Sequence, residues 1–72
     1  MVVGKIISIF DISVEVILSD TDVKLGDILK VKDDDEYLFE VVNVNNISAT
    51  CISLNTTRGL KKGSNVIKAS SG

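Results

Sequence analysis

Apolar residues along this 72-residue chain come in short β-branched runs, not at helical spacing. Val2, Val3, Ile6, Ile7, Ile9 and Phe10 dominate the first ten residues, with Gly4 and Lys5 between them and no capping residue ahead. The run predicts a strand over Met1–Phe10, and Gly4 inside it predicts a bulge or a close backbone approach. After a turn at Asp11-Ile12-Ser13, Val14 and Val16 alternate with Glu15 in a second strand, Val14–Leu18, that should form a hairpin with the first. Ser19–Asp22 is polar and turn-prone. Val23–Gly26 then leads into Asp27–Lys32, where Leu29 and Val31 share a face opposite Lys30 and Lys32. Tyr37–Asn45 is the longest β-type stretch and reads as a central fourth strand. Ser48–Leu54 alternates Cys51 and Ser53 against Thr50, Ile52 and Leu54, and its apolar side reads as Ile52 and Leu54. Asn65–Ala69 is a last short strand, and residues 70–72 read as a tail or the start of a linker after a domain spanning residues 1–69.

Between the last two strands lies Asn55-Thr-Thr-Arg-Gly-Leu-Lys-Lys-Gly63, polar throughout except for Leu60. Gly59 and Gly63, like Gly26 earlier, allow positive φ where a side chain would clash, so the stretch reads as a fixed turn. Leu60 would point inward and plug the open end of a small barrel. Taken together, the runs predict an all-β fold: a closed or nearly closed barrel of about six antiparallel strands without a long helix.

Composition narrows the function classes. Hydrophobic residues make up 44% of the chain and aromatics 4%, so valine, isoleucine and leucine must fill the core. The net charge of −2 gives the molecule as a whole no pull on phosphates or anionic membranes. The charges nevertheless cluster. Arg58, Lys61, Lys62 and Lys68 fall near the end of the chain, and Asp33, Asp34, Asp35 and Glu36 form one acidic run. Four consecutive acids suggest a calcium or magnesium site only superficially, because an EF-hand loop needs alternating ligands, a sixth-position glycine and a twelfth-position glutamate. A solvated hairpin tip that discourages strand-edge pairing fits better.

Catalytic groups are scarce. There is no histidine, and the single cysteine, Cys51, reads as a small core residue in an apolar strand rather than a nucleophile. The Gly59–Gly63 segment lacks the spacing and the terminal Lys-Ser or Lys-Thr of a P-loop. No catalytic residue, metal ligand or cofactor site is predicted. One cysteine without a disulfide framework, and an apolar N-terminal run too short to span a membrane, point to a cytoplasmic protein.

Gly4-Lys5-Ile6, Val14-Glu15-Val16, Gly26-Asp27-Ile28-Leu29-Lys30-Val31, Leu38-Phe39-Glu40-Val41, Ile52-Ser53-Leu54 and Thr57-Arg58-Gly59-Leu60-Lys61-Lys62-Gly63 together resemble the HAS barrel. This is the N-terminal β-barrel of the catalytic-ring subunits of rotary ATPases, which also precedes the ATPase core of HerA-type DNA-translocating helicases. The Thr-x-Gly-Leu-x-x-Gly ending is its most specific part. The resemblance implies a crown of barrels packed side by side, with nucleotide bound by a following P-loop domain. No residue of this chain matches the Walker lysine or the Mg²⁺ ligand. Arg58, Lys61 and Lys62 would then be candidates to face acids such as Asp33–Glu36 on an adjacent subunit. The competing class is a nucleic-acid-binding barrel of the OB or SH3-like kind, for which the acidic balance and the few aromatics, Phe10, Tyr37 and Phe39, are a poor basis.

Overall fold

The six apolar runs form six strands in the computed structural model, which describes residues 1–70. They are β1 (Val2–Phe10), β2 (Ser13–Leu18), β3 (Ile28–Val31), β4 (Asp34–Val44), β5 (Ser48–Ser53) and β6 (Asn65–Ser70). All six pairings are antiparallel, and they close a barrel in the order β1-β2-β5-β4-β3-β6. The expected all-β barrel is what the chain forms. Of the expected tail, Ser70 is the last residue of β6, and residues 71 and 72 lie outside the described residues.

Inward positions follow the pleat. Val3 and Ile6 of β1, Val14 and Val16 of β2, Leu29 of β3, Phe39 and Val41 of β4, Ala49 and Cys51 of β5 and Val66 of β6 are each 4% exposed or less. Two expectations are corrected by this closure. Tyr37–Asn45 is not central, because a closed ring has no centre and every strand has two neighbours. The buried side of β5 is Ala49 and Cys51, not Ile52 and Leu54, the latter being 50% exposed. The reason is register. Cys51 lies opposite Val14 on one side and Val41 on the other, and residues directly opposite in a ladder share a face. Small residues are therefore turned inward on β5.

Gly4 shows why a glycine sits within β1. A Cβ there would run into the carbonyl oxygen of Ile17 and come within 2.8 Å of the Val16 side chain. The pairing of β1 with β6 also shifts register between Val2 and Gly4.

Each mouth of the barrel is crossed by a loop. Strands β2 and β3 stand opposite each other in the ring, so residues 19–27 must traverse one mouth, and Val23, 4% exposed, drops into the core there. Strands β5 and β6 are likewise opposite, so residues 54–64 traverse the other mouth, with Leu60 packed against the core from above. What reads in sequence as a turn between two strands is a strap across the barrel.

The strap mouth as a candidate interaction site

Alternation of strand direction brings three connections to one end: the β1–β2 turn at Asp11-Ile12, the β3–β4 turn at Lys32-Asp33, and the strap. The strap runs between the two turns and is bonded to the β1–β2 turn on one side and to β4 on the other. On one side the Thr57 hydroxyl donates to the Asp11 carbonyl at 3.1 Å, where Asp11 itself has φ of 56°. On the other, the Tyr37 hydroxyl donates to the Arg58 carbonyl at 2.6 Å. Asn55 bridges to β4 as well, its amide donating to the Glu36 carbonyl and its Oδ1 accepting from Leu38 N–H at 3.3 Å and Thr56 N–H at 2.8 Å. At the far end Gly63 N–H donates to the Ile6 carbonyl at 2.7 Å and Lys32 N–H to the Asn65 carbonyl at 2.9 Å. A backbone satisfied in this way has few alternative conformations.

Gly59 has φ of +82°, and a Cβ on it would come within 2.8 Å of the Tyr37 hydroxyl oxygen. A side chain is thus excluded by backbone angle and by the Tyr37 staple together. Gly26 and Gly63 adopt φ of 85° and 87°.

The strap displays Arg58, Lys61 and Lys62 as exposed side chains, and among the described residues none of them takes part in an ion pair. The acidic run lies at the same mouth, on the flank formed by β3 and β4. Only Asp33 of the run is in the turn; Asp34, Asp35 and Glu36 open β4, so the run is a bulged strand start rather than a hairpin tip alone. Asp34 Oδ1 accepts the Glu36 N–H at 2.9 Å, and Asp35 pairs with Lys30. Both predicted charge groups therefore sit at one end of the molecule. On the other flank stand exposed apolar side chains, Phe10 (80% exposed), Ile12 and Leu54.

Lys68 does not belong with this cluster. Its ammonium lies towards the other mouth, 3.2 Å from Asp27 Oδ2, 3.9 Å from Asp22 Oδ2 and 2.9 Å from the Asp22 carbonyl. Asp27 is 3% exposed and also accepts the Lys24 N–H at 2.9 Å, so this pair ties the loop of residues 19–27 to β6. In sequence Lys68 groups with the other cations and Asp27 has no evident role. The available signal was the aspartate directly after Gly26, at the head of an apolar strand.

Two open concavities lie near the opposite mouth, one of about 380 Å³ between Leu18, Val23, Val44 and Asn45. Cys51 is buried, and burial first, then the Glu15 carboxylate, pushes its thiol up to about 12, so it is a packing residue with no thiolate at neutral pH. Among the described residues no helix is long and apolar enough to cross a membrane. The sequence matches no known protein family and no curated protein.

Proposed function

We propose that this barrel is a non-catalytic packing module of a cytoplasmic ring-shaped ATPase, joining neighbouring subunits in a collar. The supporting observation is the strap mouth: three cations on a fixed strap and an acidic strand start are held at the same end of one rigid barrel. Barrels standing side by side with their axes parallel bring Arg58, Lys61 and Lys62 of one level with Asp33, Asp35 and Glu36 of the next. Ile7, Ile17 and Val42, each 41% to 47% exposed on the outer wall, supply apolar contact between the sides. The sequence resemblance to HAS barrels points the same way. Exposed ion pairs contribute only about 0.2–1 kcal/mol each, so the isolated barrel associates weakly and relies on the rest of a ring for persistence.

Sedimentation equilibrium at low and high salt tests this reading. Self-association is expected at low salt and is lost in K61E/K62E. Mixing K61E/K62E with a D33K/D35K chain restores it as a mixed species. A chain that stays monomeric at millimolar concentration and low salt, or a charge-swapped mixture that does not associate, contradicts the proposal.

An exposed Phe10 at the same mouth as three cations favours one second reading, a single-stranded nucleic acid stacked on the ring with its phosphates on the strap. A fluorescence titration with labelled oligonucleotide distinguishes it. Salt-sensitive binding that F10A abolishes supports this reading and counts against the collar.

A further inference from the structure

The loops that close the two mouths are built alike. Val23-Lys24-Leu25-Gly26 and Leu60-Lys61-Lys62-Gly63 each place an apolar plug, a lysine and a positive-φ glycine ahead of a strand. Three backbone hydrogen bonds at the end of each loop correspond. Gly26 N–H donates to the Val41 carbonyl at 2.9 Å, and Gly63 N–H to the Ile6 carbonyl at 2.7 Å. In return Val41 N–H donates to the Asp27 carbonyl at 2.9 Å, and Ile6 N–H to the Ser64 carbonyl at 3.0 Å. Asp27 N–H reaches back to the Lys24 carbonyl at 3.1 Å, as Ser64 N–H does to Lys61 at 3.3 Å.

The correspondence extends through the strands. Ser19 N–H donates to Val3 and Leu54 N–H to Leu38; Leu18 N–H donates to Ile47 and Ser53 N–H to Ile12. In the β1·β2 ladder the register shifts between Ile6 and Ser8, and in β4·β5 it shifts between Val41 and Asn43. The residues bulged out, Ile7 and Val42, are 45% and 47% exposed. In every case the residues that match are the same: Ile6 with Val41, Leu18 with Ser53, Gly26 with Gly63.

We infer that the barrel is two copies of one strand–strand–loop–strand unit, β1–β3 and β4–β6, related by an approximate two-fold axis across the barrel, with their third strands exchanged. The ring order requires this relation to map the β2·β5 and β3·β6 pairings onto themselves, and Glu15 opposite Thr50 and Lys30 opposite Ile67 are the self-matching pairs. Strand β3 pairs only with β4 and β6, so the first unit cannot complete itself, and β6, between β1 and β3, is in the same position. The units have become complementary in volume. Gly4, Val14 and Val16 in one stand where Phe39, Ala49 and Cys51 stand in the other, so one large ring is matched by small residues around it. A second copy of this chain can therefore supply either unit, with the Lys32-Asp33 turn as the hinge of a half-exchanged dimer. The inference is independent of the collar.

Two full-length rearrangements test it. The first begins at Asp34, joins Gly72 to Met1 through a short glycine-serine link and ends at Asp33. If the units are equivalent, this order closes the same barrel, with parental strand circular dichroism, monomeric elution and a thermal midpoint within about 10 °C of the parent. An unfolded product overturns the equivalence. The second deletes Lys32 and Asp33, so that β3 cannot reverse into β4 of its own chain. The expected product is a folded dimer of twice the parental mass whose midpoint rises with protein concentration. A folded monomer, or a chain unfolded at every concentration, overturns the exchange.

Discussion

Breaking the Asp27–Lys68 pair one partner at a time is predicted to give unequal costs. The Asp27 side chain is 4% exposed, whereas the Lys68 side chain is 25% exposed and has the Asp22 carbonyl and carboxylate within 3.9 Å. Lys68→Met takes the ammonium from a buried carboxylate that keeps its Lys24 N–H bond, so the penalty lies near the low end of about 3–5 kcal/mol. Asp27→Asn keeps the shape and an oxygen for the Lys24 N–H, and the lysine keeps its contacts with Asp22, so the cost is nearer to about 1–2 kcal/mol. In the double variant no buried charge is left, and the loss should be no greater than about 2 kcal/mol, a coupling of about 2 kcal/mol or more. Urea unfolding followed by far-ultraviolet circular dichroism measures all four corners, with an unchanged slope expected. A domain of this size has only a few kcal/mol in reserve, so Lys68→Met should be partly unfolded without denaturant. Equal single costs with an additive double variant would refute the reasoning.

Other perturbations have equally definite outcomes. Gly4→Ala forces β1 away from the Ile17 carbonyl and should cost about 3 kcal/mol in the same assay, although alanine is ordinarily a mild replacement. Tyr37→Phe removes the hydroxyl bond to Arg58 and should cost about 1 kcal/mol, with amide exchange accelerated in the strap and unchanged at Val66. Cys51 should resist a thiol reagent in the folded protein and react only on unfolding. The pH dependence has a fixed sign: the unfolded thiol ionises near 9 while the folded thiol keeps its proton to about 12, so this contribution is complete below pH 9 and falls by up to about 1.4 kcal/mol per pH unit above it. Urea unfolding at pH 8 and pH 10.5 checks this, and Cys51→Ala should show the smaller decline.

The strands were readable because each is short, β-branched and bounded by turn residues; Val14 and Val16 declare their inward face outright. Strand β5 misled because its inward residues, Ala49 and Cys51, are less apolar than the Ile52 and Leu54 that point outward, and only the ladders to Val14 and Val41 settle the face. Closure is legible in the strand pattern, but which loops cross the mouths depends on strand order, which local pattern does not encode; hence Leu60 reads as a plug and Val23 does not. At the candidate site, the charges of Arg58, Lys61, Lys62 and the acidic run were visible in sequence. Their meeting at one mouth, and the departure of Lys68 to the other, follow from strand direction and from the burial of Asp27.

The central claim is that the charged strap is a fixed part of the barrel. Native-state amide hydrogen exchange, resolved by residue, tests it most directly. Protection of Ile6, Leu60 and Gly63 comparable to that of Val41 and Val66 is the predicted result, since the N–H groups of Ile6 and Gly63 are bonded between β1 and the strap end and that of Leu60 to the Thr57 carbonyl within the strap. Exchange of Leu60 and Gly63 at the rate of an unstructured peptide, with the strands still protected, would contradict it.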